Sequence, residues 1–327
     1  MAEMTAPKGL LHAILLDGQG GCVHLPWAEV GNWQPEQGCL WLHFHFEEEE
    51  TQAWLVQHSG LNEIAVSALV SDETRPRTLN RGDNLLLALR GVNLAPGDDP
   101  EDMVSLRIWT DGKRLVSTRR RKLVSTEDVI EELEAGSGAR DAAELLVTWI
   151  DRVVLRMNDT IEQIEDEVLQ LEEKILAGET AGLRMQTAQL RKKTISLRRY
   201  LAPQREAMSR LAGENLTWLD EINRLRLRET NDRQLRYIED IDEIRDRAAL
   251  AQEELFSRVS EQMNERSYIF TVVATIFLPL GFFTGLMGIN VGGMPGVENG
   301  AAFWVVVALC LGLTALLALI FRYKRWL

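Results

Sequence analysis

Two stretches near the C-terminal end constrain this 327-residue chain more than any other feature. No Asp, Glu, Lys or Arg occurs over 267–297 or over 299–321. Within them, 267–287 and 301–321 each supply 21 uncharged residues. An α-helix needs about 20 apolar residues to cross about 30 Å of hydrocarbon, and a soluble core helix rarely runs that far without a charge. The two spans are joined by 13 residues, 288–300, and so form a transmembrane hairpin. Arg322, Lys324 and Arg325 follow the second span and Arg258 and Arg266 precede the first, whereas the connecting loop has no Lys or Arg. The positive-inside rule then places both termini in the cytoplasm and the loop outside. Tyr268, Trp304, Tyr323 and Trp326 mark the interfaces. One hairpin cannot enclose a water-filled path, so transport of a polar solute requires several copies of the chain around one axis.

The remaining residues are polar and acidic. Lys and Arg number 36 against 49 Asp and Glu, a net charge of -13. That balance excludes a basic nucleic-acid-binding surface, and 46% hydrophobic residues exclude general disorder. The three cysteines form no Cys-x-x-Cys pair, which fits a reducing compartment. No apolar stretch opens the chain, so no cleavable signal peptide is expected. There is no P-loop, Gly-x-Ser-x-Gly, His-Glu-x-x-His or helix-opening Gly-x-Gly-x-x-Gly. The acidic runs 47–50 and 98–102 read as solvated surface. The chain is expected to be neither an enzyme nor the carrier of a resident cofactor.

Alternation and turn signals predict strands at 11–16, 39–46, 84–92, 104–110 and 114–118, the last two flanking Asp111-Gly112. In 39–46, Leu40, Leu42, Phe44 and Phe46 lie on one side and Trp41, His43 and His45 on the other, the pattern of a half-buried strand. Helices are expected at 47–59 and from Ser125 to Ala135, the latter opened by a Ser125/Asp128 capping box. From Asp141 on, the pattern is helical. Ile150, Val153, Met157, Ile161, Ile164, Val168, Leu171 and Ile175 form one heptad seam ending near Gly178. A basic helix over 183–211 faces the acidic 162–173 stretch as an antiparallel hairpin. A third helix begins near Leu216 and, with no Gly or Pro over 214–278, runs unbroken into the first span. The expected architecture is a cytoplasmic α/β domain (1–139), a cytoplasmic helical hairpin and long helical stalk (140–266), and a transmembrane domain (267–327). The last divides into a first span 267–287, outer loop 288–300, second span 301–321 and cytoplasmic tail 322–327.

At the outer end of the first span stands Gly288-Ile289-Asn290. A Gly-x-Asn tripeptide is weak alone, and Asn290 could simply close a helix. Its surroundings add to it: the stalk-like helix before it, the segment 274–280, Met294-Pro295 in a short loop, and the basic, aromatic end 323–327. Together these resemble the CorA superfamily of divalent-cation transporters. The resemblance implies a funnel-shaped homopentamer whose pore is lined by five copies of the first span. The family's Gly-Met-Asn signature falls on Gly288, Ile289 and Asn290, with Ile in place of Met. A ring of Asn290 carboxamides would bind a hydrated divalent ion through its waters without stripping them. The resemblance also places Ser267, Phe270, Leu278 and Gly281 toward the axis, with Thr271 and Thr275 beside them. Phe270 and Leu278 would then gate by dewetting. Glu253, among the many stalk carboxylates, would attract cations along the cytoplasmic funnel.

The loop 292–297 reads Gly-Gly-Met-Pro-Gly-Val and lacks the glutamate of magnesium-type members. With the Gly-Ile-Asn form, and the stretches 73–77 and 115–119, it resembles the ZntB-type zinc branch. This implies Zn2+ uptake with protons across a bacterial-type inner membrane, with Zn2+ as cargo and divalent ions as possible regulators. The alternatives are a CorA-type Mg2+/Co2+/Ni2+ channel or zinc efflux on the same scaffold. A divalent ion gains about 4.6 kcal/mol on entering a cell at 100 mV, negative inside. The spans contain no Asp, Glu or His to relay a proton. A different class, a membrane-anchored structural coiled coil, would need no Gly-x-Asn at a span end. One further candidate is Cys22, His24, His43 and His45: each pair is spaced i, i+2, and if their two strands pair, four zinc-type ligands converge.

Overall fold

The structure, a computed structural model, describes residues 5–72, 75–289 and 300–324. Its contacts divide the chain into two compact units, Met1–Glu253 and Glu254–Leu327. The first holds β1 (Leu10–Leu16), β2 (Cys22–His24), α1 (Trp27–Val30), β3 (Leu40–His45), α2 (Glu49–Gln57), α3 (Glu63–Leu69), β4 (Arg77–Arg81), β5 (Asn84–Gly91), β6 (Val104–Thr110), β7 (Arg114–Arg119), α4 (Val124–Glu134), α5 (Ala142–Leu155), α6 (Asn158–Leu176) and α7 (Leu183–Gly213). The helix α8 (Glu221–Met287) contains the boundary between the units, and α9 (Ala302–Tyr323) belongs to the second.

The strands form one mixed sheet in the order β2-β1-β3-β7-β6-β5-β4. Every pairing is antiparallel except β3 with β7. On one face Leu40, Leu42, Phe44, Leu86, Trp109 and Val116 pack with Trp54 and Leu55 of α2 and Ala65, Val66 and Leu69 of α3. On the other, Trp149 of α5 meets Trp41 at 4.8 Å between ring centroids. The sheet is therefore the middle of three layers, and β3 is covered on both sides. This corrects the half-buried reading of 39–46. Trp41 and His43 mimic a wet face in sequence, yet both are fully buried because α5 lies over them. Each large side chain so buried contributes about 1.5–3 kcal/mol.

The strands over 84–92, 104–110 and 114–118 form within a residue of their expected ends. The short edge strands β2 and β4 carry no alternation to read. In β4 only Thr78 is buried. The capping box is corrected: Leu123 is the N-cap of α4 without a side-chain cap bond, and the buried Ser125 hydroxyl has no partner. The heptad seam is also split. Its residues are buried as expected, but the helix breaks at Arg156–Met157 into α5 and α6. Arg156 Nε donates to Asp128 Oδ2 at 2.8 Å, tying the break to α4. The acidic and basic helices do form a hairpin, turned through Gly178 and Gly182 at positive φ. Lys193 Nζ lies 2.8 Å from Glu167 Oε1 across it.

The third helix starts at Glu221 rather than near Leu216. The segment before it is latched onto two hairpin turns. Asp83 Oδ1 and Oδ2 accept bonds of 2.9 Å from Thr217 N and Oγ1, and Asp83 O accepts from Trp218 Nε1 at 2.8 Å. Trp218 lies directly on Gly112, where a Cβ would fall 2.2 Å from the indole and where φ is +83°. The turn needs glycine both for its left-handed backbone and for the space.

In the second unit, the two long helices are bare. Phe270, Phe277, Leu278 and Phe282 on α8, and Phe303, Trp304 and Leu311 on α9, are each about two-thirds exposed or more. Both helices are long and apolar enough to cross a membrane. Soluble monomers rarely expose apolar side chains in such a continuous array.

Candidate functional site

The second unit shelters one stripe on each helix. On α8 the partly covered positions are Val272, Ile276, Pro279, Leu280, Phe283 and Met287, and on α9 they include Val306, Cys310, Leu313 and Leu317 and lead to the buried Phe321. Both sets advance by threes and fours, the spacing of one helical face. At about 100° per residue, Ser267, Leu278 and Gly281 lie on the side of α8 opposite its sheltered stripe. Phe270 and Thr271 flank that side. All five are exposed, and Phe270 and Leu278 are 76% and 75% exposed. The five residues read from the resemblance as axis-facing thus share one bare half of the helix.

Three threonine hydroxyls in the apolar part of α8 are satisfied within the helix. Thr271 Oγ1 donates to Ser267 O at 2.8 Å, Thr275 Oγ1 to Thr271 O at 2.7 Å, and Thr284 Oγ1 to Leu280 O at 2.9 Å. Such back-bonding lets hydroxyls sit at membrane depth. The helix continues through Pro279 to Met287. Gly288 N then donates to Thr284 O at 3.0 Å and Gly285 O at 3.1 Å, closing the last turn. Ile289 is 47% exposed. Asn290 and the loop 291–299 lie outside the described residues, as do Glu73, Thr74 and 325–327.

The sequence reading missed Gly285. It falls between Gly281 and Gly288 at spacings of four and three, on the same bare side, and a Cβ at Gly281 or Gly285 would meet nothing within 4 Å. The signal was the periodicity of small residues, hidden because single glycines read as helix breakers.

Glu253 is exposed and makes no ion pair among the described residues, whereas its neighbour Glu254 lies 2.6 Å from Arg258 Nε. Some carboxylates around the stalk are paired: Asp242 of α8 with Arg198 and Arg245, and Glu172 of α6 with Arg247. Partial burial and the neighbouring Glu243 and Glu239 hold the Asp240 carboxyl above its ordinary range.

The proposed convergence of Cys22, His24, His43 and His45 does not form. Strand β1 lies between β2 and β3, so the two ligand-bearing strands never pair. His43 is sealed in the core with Nδ1 2.8 Å from Ser117 Oγ. His24 Nε2 bonds Glu134 Oε1 at 3.0 Å on the surface, and His45 stands 3.9 Å from Glu47. Cys22 is a free thiol. No group of three metal-ligating side chains occurs among the described residues.

The chain was compared with known proteins. The family described as CorA-like Mg2+ transporter protein matches residues 36–325. The divalent cation transporter CmaX of Pseudomonas aeruginosa is 39% identical over 335 residues, covering 99% of both chains. The zinc transport protein ZntB of Yersinia enterocolitica is 34% identical over 330 residues, covering 99% of this chain and all of that one. The structure of the full-length CmaX protein superposes with a TM-score of 0.86 at 38% identity, over 99% of this chain and all of that one. The mixed α/β domain, the long helix and the C-terminal helix thus match that full-length structure in fold. This chain belongs to the CorA-like Mg2+ transporter protein family, as a membrane transporter of divalent cations.

Proposed function

We propose that this protein carries Zn2+ into the cytoplasm together with protons, through a central pore lined by α8 in an assembly of five copies. The observation that carries the reading is the bare, uncharged side of α8 opposite its sheltered stripe, running from Ser267 to Gly288. An apolar face with small residues at its outer end suits a narrow path for a hydrated ion. On this reading Phe270 and Leu278 are the apolar constrictions, Gly281, Gly285 and Gly288 widen the outer half, and Asn290 binds the ion through its waters. Glu253, without an ion pair among the described residues, draws cations to the inner mouth. Its spacing from Ser267 and Leu278 continues the same steps of three and four. The functional boundaries are 1–139, 140–266 and 267–327, with both termini in the cytoplasm of a bacterial-type cell and the bilayer around 267–321. Zinc as cargo is supported by the likeness to ZntB across the whole chain.

A second reading, a broader divalent-cation path, is favoured by the higher identity to CmaX. Flux into proteoliposomes separates them. Zinc uptake that rises with an inward proton gradient, exceeds magnesium uptake and falls at least tenfold in Asn290→Ala supports zinc symport. Magnesium flux indifferent to pH supports the broader path. Absence of flux for both ions contradicts both.

A further inference from the structure

At the β2 end of the sheet three imidazoles stand in a row. The strand register sets His12 of β1 opposite His43 of β3, and Ile14, two residues on, opposite His24 of β2. The ring centroids of His24 and His12 are 6.3 Å apart, and those of His12 and His43 are 6.1 Å apart. The row runs from water to core: His24 is exposed, His12 half-buried and His43 fully buried. The charged groups around His12 are Glu127 and Glu134 of α4 and Arg119 of β7. Both carboxylates are already engaged. Arg119 Nη1 donates to Glu127 Oε1 at 3.4 Å, and His24 Nε2 bonds Glu134 Oε1 at 3.0 Å. Burial is the largest influence on His12 and, with Arg119 and His24, lowers its pKa below 6.5 against the pull of Glu127 and Glu134.

The helix beside this row, α4, is weakly anchored where it begins. It has no side-chain cap bond at Leu123, and the buried hydroxyls of Ser125 and Thr126 have no partner. Uncapped amides and unpartnered hydroxyls favour local opening of a helix start. What holds α4 is a set of side-chain ties further along. Two of them reach the end of α5 at the α5–α6 break: Arg156 Nε donates to Asp128 Oδ2 at 2.8 Å, and Arg152 Nε to Glu132 Oε1 at 2.6 Å. With the start of α4 lifted, His12 meets water and its pKa returns to about 6.5. The open form then binds a proton more tightly than the closed one, so the closed form is stable above that pH and gives way below it. A proton on His24 acts the other way, tightening its tie to Glu134, and a charged His43 would require α5 to leave the sheet.

We propose that His12 is the proton-sensing group of a latch, and that its protonation releases the start of α4 from the sheet and slackens the Asp128 hold on Arg156 at the α5–α6 break. The latch lies within the unit Met1–Glu253. It does not depend on which cation is carried or on whether protons accompany it.

The test follows hydrogen exchange of the full chain in neutral detergent, corrected for the intrinsic rate, on peptides covering 124–134 from about pH 7.5 to about 5.5. Opening about tenfold more frequent at the low end is expected, since one proton gives at most about tenfold per pH unit below about 6.5. His12→Gln stays polar without taking a charge, and its opening should not change with pH. His24→Gln alters an exposed side chain, removes one group that opposes charge on His12 and frees Glu134, so the rise should move to higher pH. A merely structural role for His24 would loosen α4 equally at every pH. Exchange of 124–134 that does not change with pH, an equal rise in His12→Gln, or an unmoved midpoint in His24→Gln overturns the proposal.

Discussion

Strand β3 and the membrane part of α8 are both rich in large apolar side chains, and they use them in opposite ways. Leu40, Trp41, Leu42, His43 and Phe44 are all within 1% of complete burial by the chain's own elements. On α8, Phe270, Phe277, Leu278 and Phe282 remain between 67% and 76% exposed. The first region is finished by the sequence that encodes it. The second is left for surroundings outside the chain, and its length and hydropathy fit a lipid bilayer. Substitutions should therefore register as stability in β3 and its neighbours, and as flux in α8.

The largest effect on stability is expected at Trp149, fully buried against Trp41. Trp149→Ala should cost about 3–5 kcal/mol, seen as a lower midpoint in denaturant unfolding of the full chain. A loss below about 1 kcal/mol would break the comparison, by showing that α5 does not close the sheet. Next is Gly112→Ala, which places a Cβ at φ +83° against Trp218. Strain and the displaced indole should cost about 2 kcal/mol, read as a loss of Trp218 protection from quenching together with a lower midpoint.

A smaller, pH-dependent effect belongs to His43. Burial first, then Arg119 and His12, hold its pKa well below 6.5. The folded state keeps the imidazole neutral while the unfolded chain protonates it near 6.5, so the unfolded state binds more protons below that value. Stability is full above about pH 6.5 and falls as pH drops through it, by at most about 1.4 kcal/mol per pH unit for one group. His43→Gln should flatten this slope, and an equal slope in the variant would assign it to other groups. The smallest effect on stability is expected from Phe277→Ala, within about 0.5 kcal/mol in detergent. A cost like that of Trp149 would mean that this face is packed, not bare.

The membrane spans were legible because hydrocarbon tolerates no charge, a constraint that composition alone reveals. Strands β6 and β7 were legible because Asp111-Gly112 fixes their turn. The face of β3 was not, since covering Trp41 and His43 depends on α5, a hundred residues away. The break at Arg156 was invisible because Met157 keeps the seam's period across it, and only the bond to Asp128 on α4 marks the end. At the candidate site, Gly288 and the residues expected to face an axis could be named from the resemblance. Their common side became clear only once the sheltered stripe at Val272, Ile276 and Leu280 was known. The idea of a zinc site at Cys22, His24, His43 and His45 failed for a topological reason: i, i+2 spacing states which face a residue occupies, not which strands are neighbours.

The central claim is that the bare side of α8 is the cation path. With Cys22, Cys39 and Cys310 replaced by alanine, Leu278→Cys and Ile276→Cys are made separately and treated with a small cationic thiol reagent during zinc uptake into proteoliposomes. Modification and block of uptake at Leu278→Cys, with Ile276→Cys untouched, is the predicted result. Block at Ile276→Cys with Leu278→Cys unaffected would place the path on the other side of the helix and contradict the account.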